Sequence, residues 1–552
     1  MLVAFVAQAQ SNGVTFVPPM KIPLVLSANF GELRADHFHS GVDFKTQGRT
    51  GINVYAVDSG YISRVLVSPW GYGRALYVTH PSGYTTVYAH LDSFVGAIAD
   101  SVQVMQYRNE SFALDTIFTP DVFPVSRGQL IAKSGNSGSS GGPHLHFEVR
   151  GTSSETYIDP LIWFASKISD KIAPEPRLVA LYEHDKVADG QLHPKQTSQL
   201  VSTGTNRYKC DKDFTAWGRV SVGIKAYDKC SGTNNIYGVR NVRLWVDDSL
   251  VYESCIDSIP ILLSRYSNSF IDYNEWRNNK GSFIMRSYIQ PGNILPDIYK
   301  TTTDGSFVVS EARTYNCRYE LTDINGNMSR VNFKIQGSSP AAPASVPQGV
   351  LFDYCHDNEY ATAEMNIHIP KGSLYDNCYF DYSSSESSRY YSHVHAIGNS
   401  GLPLQKWCEL SIKLSCDTLP DDKYYMVRIF NGSTAPVIGR YEAGWYIAKV
   451  RRLGKYAIAA DLSAPTITPH NEKQWAQNGV VMFKITDKGS GIATYRAEVD
   501  GQFCLFEYDA KKNMILCKPS DTPFGRGVSR TLVITVTDNC GNTQQHKQTI
   551  KW

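Results

Sequence analysis

The sequence predicts a mainly β protein made of several domains, and three observations carry that reading. The chain has 552 residues, which at roughly 100 to 200 residues per domain implies about three or four domains. Hydrophobic residues make up 42% and charged residues 19%, with 33 Tyr, 23 Phe and 42 Gly, a balance that supports packed cores and lies far from disorder. Stretches such as VYAVDSGYISRVLV, GRALYVTH, YTTVYAHLDSF and HLHFEVR alternate apolar and polar residues between glycine turns, the period-two pattern of strands. Lys plus Arg total 54 against 52 for Asp plus Glu, a formal charge of +2. A broad electrostatic grip on nucleic acid or anionic lipid is therefore not expected. No apolar run reaches the roughly 18 residues of a membrane span.

Taken in order, Met1 to Ala7 is apolar, and Ala7 and Ala9 have the small-x-small spacing of a signal-peptidase site, so residues 1–9 read as a signal-peptide remnant. Export to the periplasm or cell envelope, or secretion, is the expectation, with a frayed terminus as the alternative. Residues 10–170 form the first β domain. Pro174 and Pro176 in IAPEPRLVA mark its boundary, because X-Pro favours extended connections. Residues 171–336 read as an immunoglobulin-like β domain with an insertion. GSSPAAPASVPQG, residues 337–349, is small, uncharged and proline-rich, the composition of a linker. A β-rich accessory domain over 350–460 and an immunoglobulin-like β-sandwich over 461–552 complete the chain. KAYDKCSG with LTDINGN in the second domain is echoed by ITDKGSGI with VTDNCGN in the last, either a duplication or repeated use of Asp/Gly turn chemistry. The 11 Cys all lie at or beyond Cys210 and form no C-x-x-C pair. Export would permit disulfides, and an odd count leaves at least one thiol unpaired.

Chemistry concentrates in the Cys-free first domain, where HFHSGVD, YTTVYAHL and GNSGSSGGPHLHFEV each carry histidine. Along a strand, HLHFEV sends His144, His146 and Glu148 to one face and Leu145, Phe147 and Val149 to the other. The same alternation puts Tyr84, Thr86, Tyr88 and His90 on one face, so Tyr84, Thr86 and Tyr88 are expected to line a groove beside His90. His39 and Asp43 are four apart, and Gly41 between them favours a bend that brings both onto one ion. Cys-free N and O donors of this kind suit a catalytic zinc, which keeps a position for water.

HSGVD, YAHL and GNSGSSGGPHLHFE resemble the motifs of lysostaphin-type (LytM-like) zinc metalloendopeptidases over roughly residues 20 to 165. The resemblance implies an antiparallel β metallopeptidase domain with a groove, in front of the accessory sandwiches. It implies one Zn2+ held by His39, Asp43 and His146, with His90 and His144 acting in catalysis. All five positions are occupied, unlike the degenerate relatives that lose ligands and activate cell-wall amidases. The implied function is endopeptidase hydrolysis of peptidoglycan stem peptides or cross-links by metal-activated water. An amidase activator or adaptor, and an extracellular protease acting on glycine-rich proteins, are the alternatives. Peptidoglycan peptides are the expected partner, with a cell-envelope protein bound through the β domains. Residues from about Pro174 onward are expected to be dispensable for the chemistry, and the insert from Ala99 to Arg127 is a candidate wall of the groove. His393 and His395 repeat the H-x-H spacing without companions. His37 and His80 read as neighbours with structural roles, and GNSGSSGG lacks the G-K-[ST] of a phosphate loop.

Overall fold

Alternation in the first domain becomes a twisted antiparallel sheet. The structure is a computed structural model that describes residues 13–184, 194–279, 281–338, 349–525 and 527–551; the proposed signal remnant 1–9 and most of the linker lie outside these. Strand Tyr84–Phe94 pairs with Arg74–Thr79 on one side and with His144–Gly151 on the other. Val42–Lys45 pairs with the far edge of His144–Gly151, and Leu26–Ala28 follows it. One face of this sheet is apolar: Phe44, Tyr88, Leu145, Phe147 and Val149 are fully buried and pack with Phe164 of a short helix. Each such side chain stabilises the fold by roughly 1.5 to 3 kcal/mol. The opposite face carries Asp43, His144, His146 and Glu148 beside a small apolar cluster of Ala75, Tyr77, Val87 and Ala89.

The sheet does not stop at the proline boundary. Thr156–Ile158 at its edge pairs with Ser258–Pro260 of the second region, and one hydrophobic core runs from Phe16 through Phe164 to Ile335. A loop of the second region also grips the first: Asn235 Nδ2 donates to Ser27 O at 3.0 Å and the Tyr237 hydroxyl to Leu26 O at 3.0 Å. The Asn29 side chain is held between the carbonyl and N–H of Gly238 at 2.8 and 2.9 Å. Pro174 therefore separates strands without separating cores. The second region is built on an 11-stranded sheet in which Arg207–Cys210 and Phe214–Ala216 run parallel to Met328–Gly337.

Beyond residue 349, two five-stranded sheets enclose Met365, Leu410, Met426 and Ile458. From about residue 461, two four-stranded sheets face each other across Phe483, Val499, Ile534 and Val536. The sequence echo is geometric. Asp323 accepts from the backbone N–H and side chain of Asn327 at 2.8 and 2.7 Å, and Asp538 does the same with Asn542 at 2.8 and 2.9 Å. Each turn gathers two further carboxylates, Asp170 and Asp228 in one case and Asp461 and Asp487 in the other. Asp170 and Asp461 each precede an Ala-Pro pair at the same offset, a match that the sequence reading missed. All 11 cysteines are free thiols, with Cys504 and Cys517 the nearest pair at 3.8 Å between sulfurs.

A chain ended near Ile168 strands the Thr156–Ile158 edge and exposes the shared core. Calorimetry should show it melting well below the full chain; an unchanged melting temperature for its transition would show that the second region adds nothing to it.

Candidate metal and catalytic site

The polar face of the sheet holds the site. His146 sits directly opposite Asp43 in the antiparallel ladder, so both side chains project from the same face. Gly41 lets the chain between His39 and Asp43 lie against the sheet, since a Cβ there would fall 2.2 Å from the carbonyl oxygen of Phe147. His39 Nε2 consequently lies 3.2 Å from Asp43 Oδ1 and 3.1 Å from His146 Nδ1, and His146 Nδ1 lies 2.9 Å from Asp43 Oδ1. All three residues are buried.

The outward nitrogens are committed. His39 Nδ1 donates to the carbonyl of Asn29 at 2.7 Å, and His146 Nε2 donates to Glu148 Oε1 at 2.9 Å. Carbonyl and carboxylate oxygens only accept, so each ring turns its other nitrogen toward Asp43. Asn29 is the residue clamped by Gly238, which ties the orientation of His39 to the second region.

Glu148 underlies this arrangement, a role that its place on the His146 face of the strand does not by itself announce. It is fully buried and also accepts from the Ser40 hydroxyl at 2.6 Å, the Tyr72 hydroxyl at 2.5 Å and Arg150 Nε at 2.7 Å. Burial opposes its charge, yet Arg150, His146 and Ser40 together hold its carboxyl well below the usual range. Burial likewise opposes charging His146, but hydrogen bonds and charge from Asp43 and Glu148 outweigh it and raise the imidazole to about 9. Asp43 is held well below the usual carboxylate range against its burial, through His39 and hydrogen bonds from the surrounding histidines.

His90 and His144 stand beside this trio, with ring centroids 4.8 Å apart and His90 5.7 Å from His146. His90 Nδ1 donates to Ser137 O at 3.0 Å, and His144 Nδ1 donates to Gly142 O at 2.8 Å. Burial, then the nearby His146 and His144, lowers His90 to about 3, so its ring is uncharged at neutral pH. Simple alternation would have placed His90 on the core face with Tyr88. Instead His90 adopts φ 59°, the ladder shifts register around it, and its N–H donates to Tyr72 O at 2.9 Å. This bulge turns the side chain to the polar face.

The bulge corrects the expected groove lining. Tyr84, Thr86 and Tyr88 are buried on the far side, where the Tyr88 hydroxyl accepts from Val57 N at 3.0 Å. The cavity over the site, about 640 Å³, is lined by Arg34, Tyr72 and Tyr157 around the five residues, with Ser264 from the second region. No residue of the Ala99 to Arg127 insert lines it; that segment forms helix Ala97–Arg108 and strand Leu114–Ile117 elsewhere on the domain. His37 is exposed on the rim. His80 is buried between Ser59 O and the Thr86 hydroxyl at 2.9 and 2.8 Å. His393 pairs with Glu364 and His395 with the Tyr382 hydroxyl, both at 2.8 Å, and neither joins a metal-sized cluster among the described residues.

Residues 37–107 match peptidase family M23 and residues 349–461 match the Zu5-like domain. The amino-terminal unit is thus a peptidase M23 domain of mainly β structure. A Vibrio cholerae protein named peptidoglycan DD-endopeptidase ShyB is 35% identical over 111 residues, covering 20% of each chain. An uncharacterized metalloprotease of Haemophilus influenzae is 32% identical over 110 residues, covering 20% of this chain and 18% of that one. The match thus spans about a fifth of these relatives' length. The catalytic domain of lysostaphin from Staphylococcus simulans is 25% identical, covering 25% of this chain and 90% of that one at a TM-score of 0.19.

Two outcomes follow from the buried charges. Glu148→Ala leaves Arg150 without its partner and should cost about 3 kcal/mol of unfolding free energy in denaturant titration; a loss too small to measure would mean that the network is not a stabilising one. In chelator-treated protein, the stability from His146 is fully present below its ordinary pKa near 6.5 and is lost as pH rises through about 9. The Glu148 contribution has the opposite sign, being lost as pH falls below about 4.5. The melting temperature should therefore fall between pH about 6.5 and 9, and a flat profile would contradict the assignment.

Proposed function

We propose that the amino-terminal domain is a zinc-dependent endopeptidase that hydrolyses peptide bonds in peptidoglycan stem peptides or cross-links. The observation that carries this reading is the convergence of His39 Nε2, Asp43 Oδ1 and His146 Nδ1, with both imidazoles oriented from behind by Asn29 and Glu148. Two imidazole nitrogens and one carboxylate, each histidine with an outer hydrogen-bond acceptor, suit the chemistry of zinc, which would take both imidazoles in their neutral form. Held by these three residues, zinc would supply a Lewis acid for the scissile carbonyl and lower the pKa of water.

The remaining groups handle protons and substrate. His90 keeps Nδ1 on the Ser137 carbonyl, which leaves Nε2 to exchange a proton with water or substrate. His144 Nδ1 is occupied by Gly142, so its Nε2, 3.4 Å from Asp43 Oδ1, faces the same space and can steady the developing oxyanion or protonate the leaving amine. Tyr72 and Tyr157 give the cavity walls with apolar bodies and hydroxyl tips, and Arg34 places a cation at its rim. The family match and the relative named as a peptidoglycan DD-endopeptidase support the wall-peptide substrate. Action on the wall requires export, to the periplasm or cell envelope. No helix among the described residues is long and apolar enough to cross a membrane. Residues 171–336 and 461–552, read as immunoglobulin-like, and the β-rich residues 350–460 would position the enzyme or bind an envelope protein. The adaptor alternative fits less well, because all five residues are present and gathered.

Purified protein incubated with peptidoglycan should release products with new amino and carboxyl ends inside stem peptides, read by mass spectrometry. New reducing sugar ends, or intact stems freed from lactyl groups, would contradict the proposal. His39→Ala, Asp43→Ala and His146→Ala should lose zinc by elemental analysis, while His90→Ala and His144→Ala should keep zinc and lose rate.

A further inference from the structure

Both proton-handling histidines are held by one loop. Ser137 O receives His90 Nδ1, and Gly142 O receives His144 Nδ1 with the Ser140 hydroxyl 3.2 Å away, so residues 136–142 set the orientation of both rings. This glycine-rich loop is zipped to the Tyr72 loop: Gly71 and Ser139 exchange two hydrogen bonds at 2.9 Å, and Arg74 N donates to the Ser137 hydroxyl at 2.9 Å. The packing is close, since a Cβ on Gly138 would fall 2.3 Å from Gly73 N.

The last domain reaches this paired loop from one short segment. Lys511 Nζ donates to Asn136 O at 2.5 Å and to Ser140 O at 3.1 Å, on either side of Ser137. Glu507 pairs with Arg74, and the Tyr508 ring meets Trp70 edge-on at 6.3 Å. The insert supplies a second footing, through Tyr107 against Phe503 and Gln103 on Asp521 O at 2.5 Å from its helix, and Glu110 just beyond the helix with Arg496 at 2.7 Å. Such a contact could either plug the groove or support its wall. No residue lining the cavity lies beyond Ser264 in sequence, so the domain supports the loop from outside and leaves the groove open.

We infer that the carboxy-terminal domain braces the active site in cis, with Lys511 as a positioning residue that holds the 136–142 loop and, through it, His90 and His144. The inference rests on the proposed peptidase reading for its catalytic arm and on geometry alone for its structural arm. Lys511 is exposed in a turn, so replacing it spares every core. Removing its two charge-assisted hydrogen bonds lets the loop wander, and misplacement of positioned groups is costly in rate.

The test uses the full chain. Lys511→Met should speed hydrogen–deuterium exchange at amides 136–142 and leave exchange in the four-stranded sheets of the last domain unchanged. With zinc content unaltered, kcat on a soluble wall peptide should fall about tenfold while KM changes little. Lys511→Arg, which can still donate to both carbonyls, should restore most of the rate, and Glu507→Gln should act in the same direction as Lys511→Met. Unchanged exchange in the loop would overturn the brace. Faster exchange with unchanged kcat would overturn its link to the histidines, and a rise in kcat would show a brake instead. If the wild-type chain cleaves no wall peptide, the functional reading fails, and the exchange result alone decides the brace.

Discussion

The site depends on one buried carboxylate. Glu148 lies beneath the polar face of the sheet with no water-facing surface, and a charge there costs several kcal/mol unless its oxygens are satisfied. Ser40, Tyr72, His146 and Arg150 satisfy it, and they come from three separate stretches of chain. The same hydrogen bond that stabilises the carboxylate decides which nitrogen His146 turns toward Asp43. Stability of the sheet and orientation of the candidate ligand are therefore one interaction seen from two sides.

Much of the site was legible because strand alternation and cross-strand register are simple rules. His144, His146 and Glu148 share a face as the HLHFEV text implies, and Gly41 bends the chain between His39 and Asp43 as its missing side chain allows. His90 is the exception that teaches most. Period two puts it with Tyr88, and only a positive φ and a register shift move it to the other face. A non-glycine residue in that conformation is set by its surroundings, here the Tyr72 carbonyl and the Ser137 carbonyl, and those lie far away in sequence. The expectation that Tyr84, Thr86 and Tyr88 line the groove failed for the same reason.

Domain coupling leaves little trace in the text. Proline-rich boundaries mark where strands change partners, but they carry no information on which cores merge. The edge strand Thr156–Ile158 and the clamp on Asn29 make the second region part of the first, and the last domain returns over more than 350 residues to touch the loop that holds two histidines. The Ala99 to Arg127 insert, expected at the groove, instead provides a footing for that return. Contacts between surfaces so distant in sequence leave no periodic trace for a reader of the text.

The central claim is that His39, Asp43 and His146 form a metal centre whose geometry is set from behind by Asn29 and Glu148. Crystals of the zinc-loaded chain, measured on both sides of the zinc absorption edge, test it most directly. The account predicts one anomalous peak in contact with His39 Nε2, Asp43 Oδ1 and His146 Nδ1, with His146 Nε2 still on Glu148. A peak bound through His146 Nε2, a peak at another cluster alone, or no peak in zinc-loaded crystals would contradict it.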